Sequence, residues 1–330
     1  RVSMKRMLLV IYLGLMVSGV TGCGSGAASW LKSSLSSVET SPEAKQKTDD
    51  AEAPSILRDT PATDEYEQLG DTYVRQGNWP LALLQYDHAL KSVPRHARVR
   101  HKKYLLFLAN GLLADATAGF RALVQEQAHD ASAWEGLGRS LLQAGQEAKA
   151  EEALRQAVQE NTRLWKAHAL LGVLYDLRQE HDLAVSAYRT ALELKPDRLE
   201  LRNNLGRSYY LRGDYRKALE EFELAKKGGY SEATFHNNRG LALAKTGAYR
   251  DALAAFRLGG AEPQALSNLG IVYLEAGQAS NAVVCFQKAI EVNPKFDQRA
   301  NEQLTVAQSV LRQEQTRRNI RPEQDTNVCS

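Results

Sequence analysis

A leucine-glycine pair followed three residues later by a tyrosine or leucine recurs along this chain. It appears as Leu69-Gly70 with Tyr73, Leu137-Gly138 with Leu141, Leu171-Gly172 with Tyr175, Leu205-Gly206 with Tyr209, and Leu269-Gly270 with Tyr273. Gly138, Gly172, Gly206 and Gly240 follow one another at intervals of 34 residues. Gly70 lies 68 residues before Gly138, with Tyr104 at the midpoint, and Gly270 comes 30 residues after Gly240. A fixed period of this length marks a stacked repeat, in which each unit is too small to bury its own apolar face and the core arises between neighbours. Past the last unit, Leu304, Ala307, Val310 and Leu311 keep helical spacing, which predicts a helix over 297–315 that caps the open end of the stack.

The remaining positions of each unit fit the pattern W-x2-L-G-x2-Y…G…A-x3-F-x2-A…P, and the repeat resembles the tetratricopeptide family. The first unit supplies Tyr66, Leu69, Gly70, Tyr73, Gly77, Ala82, Tyr86, Ala89 and Pro94, and the seventh Leu269, Gly270, Tyr273, Gly277, Ala282, Phe286, Ala289 and Pro294. The second is degenerate, keeping Tyr104, Phe107, Gly111, Ala116 and Phe120. The resemblance implies an all-α solenoid of about seven helix-turn-helix repeats in a right-handed superhelix. The expected repeats are 63–96, 97–130, 131–164, 165–198, 199–232, 233–262 and 263–296. The residue types make physical sense for such pairs. A glycine in the first helix and an alanine early in the second let the two helices approach and cross, while aromatics fill the space between units. The glycine seven residues further on can take φ > 0 and end the first helix, and Pro94, Pro196 and Pro294 stand where the second must stop.

The N-terminus has a different character. Lys5 and Arg6 precede an apolar run of eleven residues, Met7 to Val17, too short and wrongly flanked for a membrane-spanning helix, so residues 1–22 read as an export signal with Met4 as the expected start. Val20-Thr21-Gly22-Cys23 resembles the lipobox of bacterial lipoproteins. That resemblance implies cleavage before Cys23, a covalent N-acyl diacylglycerol on its thiol, and, since Gly24 rather than Asp follows, sorting to the periplasmic face of the outer membrane. Several acyl chains give a stable anchor where one is marginal. Residues 23–62 carry serine runs, Pro42, Pro54 and Pro61 without helical periodicity, the composition of a flexible linker. Residues 316–330 are expected to be a disordered tail, with Arg317, Arg318 and Arg321 as solvated charges.

Charge narrows the partners. The chain carries 42 basic and 39 acidic residues, and setting aside 1–22 leaves 39 of each, which argues against nucleic acid as a partner. Seven histidines and three cysteines form no metal-ligand spacing, and no nucleotide or hydrolase motif is present, so no catalytic residue, metal or cofactor beyond the lipid is expected. His168 and His236 occupy the place held by Trp134 in the third repeat and read as packing variants. Cys285 either packs as a small apolar residue or pairs with Cys329 in an oxidising compartment.

Asparagines are the informative polar residues. Asn204, Asn238 and Asn268 hold one repeat position, two before the glycine, and Asn203 and Asn237 precede the first two of them. In tetratricopeptide arrays that place looks into the concave groove, and related arrays use asparagines there to hold peptides. Amides that both donate and accept can bind the backbone of an extended peptide whatever its side chains; Arg207 and Lys245 are candidates to add contacts. The same amides could instead knit neighbouring repeats together, which would also explain a mediocre helix residue recurring inside helices. Lipobox, linker and repeat array together resemble the assembly lipoproteins of bacterial pili, the TadD-type tight-adherence (Flp) lipoproteins and the type IV pilotins. That resemblance implies a non-enzymatic adaptor that helps a secretin or another pilus component assemble at the outer membrane. A scaffold that gathers cell-wall hydrolases or synthases is the alternative.

Overall fold

A computed structural model of the chain describes residues 63–293 and 298–317. Every secondary-structure element among them is helical. Helices α1 (Thr63–Arg75), α2 (Trp79–Ser92), α3 (Ala97–Ala109), α4 (Leu113–Glu126), α5 (Ala131–Gln143), α6 (Glu147–Glu160), α7 (Trp165–Leu177) and α8 (His181–Leu194) belong to one compact unit, which ends at Pro196. Helices α9 (Leu199–Arg212), α10 (Tyr215–Lys227), α11 (Ala233–Lys245), α12 (Tyr249–Gly259), α13 (Glu262–Glu275), α14 (Ala279–Val292) and α15 (Gln298–Arg317) belong to the other. The helices pack as consecutive antiparallel hairpins, α1 with α2 through α13 with α14, which is the all-α repeat architecture that the period implies. In the second unit α15 packs on α14 and seats Ala307 in the core, as expected of a capping helix.

Within every hairpin but the second, the glycine of the first helix meets a large side chain of the second helix. A Cβ at Gly70 would lie 2.5 Å from the Tyr86 ring, at Gly172 2.8 Å from Tyr188, at Gly206 2.7 Å from Phe222, and at Gly270 2.8 Å from Phe286. The partner side chains Tyr86, Tyr188, Phe222, Phe256 and Phe286 are among the largest buried groups of the protein. Burying each apolar side chain of this size stabilises the fold by roughly 1.5–3 kcal/mol, which requires that the helices come this close.

The degenerate second repeat solves the same problem in reverse. Tyr104 stands in α3 where the other repeats have glycine, and the small residue has moved to Gly119 in α4, whose Cβ would lie 2.4 Å from the Tyr104 ring. Displaced by that ring, Phe120 points onward to Gly136 of α5, where a Cβ would lie 2.3 Å away. Tyr104 and Phe120 meet edge to face at 5.6 Å. The degeneracy is therefore an exchange of volumes rather than a loss of packing.

The turn between the helices of a hairpin is left-handed. Gly77, Gly111, Gly145, Gly213, Gly247 and Gly277 have φ between 71° and 93°. The fourth hairpin has no glycine there and turns through Gln179 at φ 62°, the sole non-glycine residue with positive φ among the described residues. Entry into the second helix α2 is capped: Asn78 accepts from Leu81, with Pro80 in the first turn. Asp130 does the same for the first helix α5, accepting from Ser132 and Ala133 at 2.9 and 3.1 Å. No helix among the described residues is long and apolar enough to cross a membrane.

Candidate protein-binding faces

The first helices of successive hairpins lie side by side within each unit, α1, α3, α5 and α7 in one and α9, α11 and α13 in the other. Side chains at one repeat position therefore form a column across neighbouring helices. The column two residues before the glycine runs through Asn204, Asn238 and Asn268, and its neighbour one residue earlier through Asn203, Asn237 and Ser267.

In the second unit the amides are partly engaged with each other. Asn238 Nδ2 donates to Asn203 Oδ1 at 3.2 Å, which joins α11 to α9. Asn203 Nδ2 approaches Asn204 Oδ1 at 3.5 Å, at the weak limit of a hydrogen bond. Asn203 and Asn204 are both buried. Asn237 turns toward the end of its own hairpin and donates to the Gly259 carbonyl at 3.5 Å, a contact that Gly259 permits because a Cβ there would lie 2.6 Å from Asn237 Oδ1. Asn268 is half-buried and accepts from Gln264 at 2.9 Å. Lys245 pairs with Glu275 of α13 at 2.8 Å, and Arg207 is half-buried one turn along α9 from Asn203 and Asn204. The structure thus brings Asn203, Asn204 and Asn238 together across two helices, while Asn237 bonds the end of its own hairpin and Asn268 bonds Gln264. Cys23 lies outside the described residues. Cys285 is fully buried and disulfide-bonded, and the other two cysteines of the chain, Cys23 and Cys329, lie outside the described residues.

The position three before the glycine holds a second pattern that the sequence reading passed over. It runs Glu67, His101, Glu135, Ala169, Asn203, Asn237 and Ser267, polar in every repeat but one although most of these residues are buried. Aligning the repeats by their glycines and asking which interior position refuses apolar residues would have found it. In the first unit its two glutamates have opposite fates. Glu67, 3% exposed, receives Arg98 at 2.7 Å and Lys102 at 2.6 Å, both from α3. Burial pushes its carboxyl upward, but the bonds from Arg98 and Lys102 outweigh this and hold it below the ordinary range. Asp64 and His96 approach Glu67 closely enough to share a cation, yet that carboxylate is already taken by the two basic side chains.

Glu135 on α5 sits in the same place two repeats on. The helix that faces it, α7, offers Lys166 where α3 offers Arg98, and Leu170 where α3 offers Lys102. No cation among the described residues comes within ion-pair distance of Glu135, and its Oε1 has no hydrogen-bond partner. Burial raises its carboxyl to about 7, against the pull of the Lys166 charge. On the neighbouring helix α3, burial lowers the His101 imidazole below its ordinary range, so it stays neutral, with its ring edge-on to Phe120.

Two histidines have a defined structural task. Trp134 Nε1 donates to the Ala128 carbonyl at 2.7 Å, in the turn before α5. His168 Nε2 donates to the Thr162 carbonyl at 2.9 Å, in the turn before α7, and His236 Nε2 bonds Ser231 Oγ at 2.9 Å before α11. Each ring clips its helix to the preceding turn, so His168 and His236 replace the tryptophan by keeping its ring nitrogen contact.

Comparison with known proteins defines the class. Tetratricopeptide repeat models match residues 67–116, 101–164, 149–198, 169–230, 203–265 and 263–296. The chain belongs to the tetratricopeptide repeat family. Solved structures with the same fold include a tetratricopeptide repeat protein from Parabacteroides merdae, 16% identical, with 74% of this chain and 98% of that one covered at a TM-score of 0.51. Another is Cut9–Hcn1, a hetero-tetramer of the APC/C, 17% identical, with 74% of this chain and 54% of that one covered at 0.54. These likenesses show the fold. A search of curated proteins returns no match. Tetratricopeptide arrays are protein-binding scaffolds and typically carry no catalysis, so the chain is a protein-interaction module.

Proposed function

We propose that this protein is a lipid-anchored adaptor on the periplasmic face of the outer membrane, which takes up an extended segment of a partner on the faces built by its first helices. The observation that supports this best is the column of polar side chains on adjacent first helices. Such a column costs stability in a helix interior unless it serves recognition or joins repeats, and in Asn203 and Asn238 it already does the latter. The lipobox-like Val20-Thr21-Gly22-Cys23 supports the anchor, and residues 24–62 would let the repeats reach away from the bilayer. Combined with a tetratricopeptide array, these features favour a TadD-type or pilotin-like role in which the partner is a secretin or another pilus assembly protein.

Three experiments test this in separable parts. Radiolabelled palmitate should enter the wild-type protein in cells and fail to enter a Cys23→Ser variant; absence of label in the wild type removes the anchor. Crosslinked pull-down from envelopes should lose partners when Asn204, Asn238 and Asn268 become Ala, and an unchanged partner profile moves binding off the amide column. In a deletion strain, secretin multimers should fail to form or to localise. Normal multimers together with recovered murein enzymes would favour the cell-wall scaffold instead.

A further inference from the structure

Cys285 on α14 is disulfide-bonded and fully buried, in a core that α14 shares with Ala307 of α15. It stands fifteen residues after the glycine of its repeat, a position that is a buried alanine in the third and sixth hairpins, Ala153 and Ala255. Packing alone therefore does not call for sulfur there. The seal that α15 makes over the last hairpin is thin. Helix α13 buries Leu266, Leu269, Val272 and Tyr273, whereas the apolar side chains that α15 buries are Ala300 and Ala307, with Leu304, Val310 and Leu311 half-buried. An alanine brings far less apolar area to such a contact than a leucine or a tyrosine, so little holds this cap shut except what is added to it.

We propose that Cys285 is joined to Cys329, and that this bond latches α15 over the last hairpin once the chain reaches an oxidising compartment. Cys329 is 44 residues from Cys285 and Cys23 is 262, and a flexible loop of the shorter length closes roughly fifteenfold more readily. Reach allows the bond. Ala307, in the same core as Cys285, lies ten residues before the end of α15, about 15 Å along the helix, and the twelve residues from there to Cys329 can span up to about 40 Å. The assignment also draws on the reading that the Cys23 thiol carries the lipid, which leaves Cys329 as the partner. In forming the bond the two thiols give up two protons and two electrons; thiol–disulfide exchange passes the electrons to the disulfide of an oxidising partner protein, which leaves as a dithiol. Where thiols stay reduced, the end of the stack is held by the thin seal of α15 alone; after export the closure is covalent.

The test is mass-spectrometric peptide mapping of the full chain purified from cell envelopes with its free thiols alkylated, followed by hydrogen exchange. Mapping should recover a linked pair of peptides holding Cys285 and Cys329. Cys329→Ser should then speed exchange over α15 by about tenfold or more while leaving α9 to α12 unchanged. Cys285→Ala, which restores the alanine of the other hairpins, should match it, and the two changes together should do no more than either alone, because they remove one bond. An alkylated Cys285 overturns this inference and leaves the lipid anchor standing, since palmitate can still label Cys23. A Cys285–Cys23 link overturns both. A Cys285–Cys329 link with exchange over α15 unchanged in Cys329→Ser overturns the latch, as does a double variant whose effect is the sum of the two.

Discussion

Gln179 turns the fourth hairpin through a left-handed conformation that the other six hairpins give to glycine, and Gln179→Gly should therefore stabilise the first unit. The backbone makes the same bond in both kinds of turn: Gln179 N donates to Asp176 O at 3.1 Å, as Gly145 N does to Leu142 O at 3.1 Å. The Gln179 side chain is exposed, so its removal loses no packing. A residue with a Cβ in this region costs roughly 1–2 kcal/mol, and glycine returns roughly 0.5–1 kcal/mol of that through the greater freedom of its unfolded chain. The net gain is about 0.5–1 kcal/mol, or a rise in Tm of about 2–4 °C for a unit of this size. Thermal melting by circular dichroism, with hydrogen exchange over α7 and α8 to locate the effect, measures it. The reciprocal change Gly145→Gln should lower Tm by a similar amount. A Tm that falls for Gln179→Gly, or stays unchanged for Gly145→Gln, would refute the claim that backbone handedness governs these turns.

Other consequences follow from the packing and the charges. Gly206→Ala puts a Cβ 2.7 Å from the Phe222 ring, so it should destabilise the second unit by roughly 1–3 kcal/mol in urea denaturation even though alanine is the better helix former. Gly119→Ala should be similarly costly, and much less so when Tyr104 is also reduced to Ala; simple additivity in that double-mutant cycle would contradict the exchange of volumes in the second repeat. Asp130→Ala removes the cap of α5 and should cost about 1 kcal/mol of stability in the same assay. Because the folded Glu135 carboxyl holds its proton to about 7 against an ordinary 4.5, its contribution is fully present below 4.5 and is lost as pH rises through 7. Glu135→Gln should accordingly gain on the wild type across that window, by an amount on the order of 3 kcal/mol at most, and a difference independent of pH would show that the carboxyl is solvated.

Much of the fold was legible because each hairpin repeats one steric problem. The glycines at 70, 138, 172, 206, 240 and 270 mark where helices cross, and the glycines that close the turns mark the ends of the first helices. What the period hides is compensation. Tyr104 looks like decay of the pattern until Gly119 and Gly136 are seen to make room for it and for Phe120, a relation between residues 15 to 32 apart that no single repeat displays. The binding faces were harder to read. Asparagines drew attention because they are unusual inside helices, whereas Glu67 and Glu135 look like ordinary solvated acids in the sequence. Burial sets both apart from surface acids, and what distinguishes them from each other is whether cations of the next helix reach the carboxylate.

The displaced tyrosine also bears on how the array can be re-engineered. Repeat proteins are often lengthened, shortened or shuffled one module at a time, on the premise that modules are interchangeable. Here residues 97–136 behave as a single graft: transplanting α3 without α4 would drive the Tyr104 ring into a partner that has no room for it, and transplanting both without the start of α5 would strand Phe120 against a side chain in place of Gly136. A recombination point placed before Ala97 and after Gly136 should yield soluble chimeras, and one placed inside that block should not.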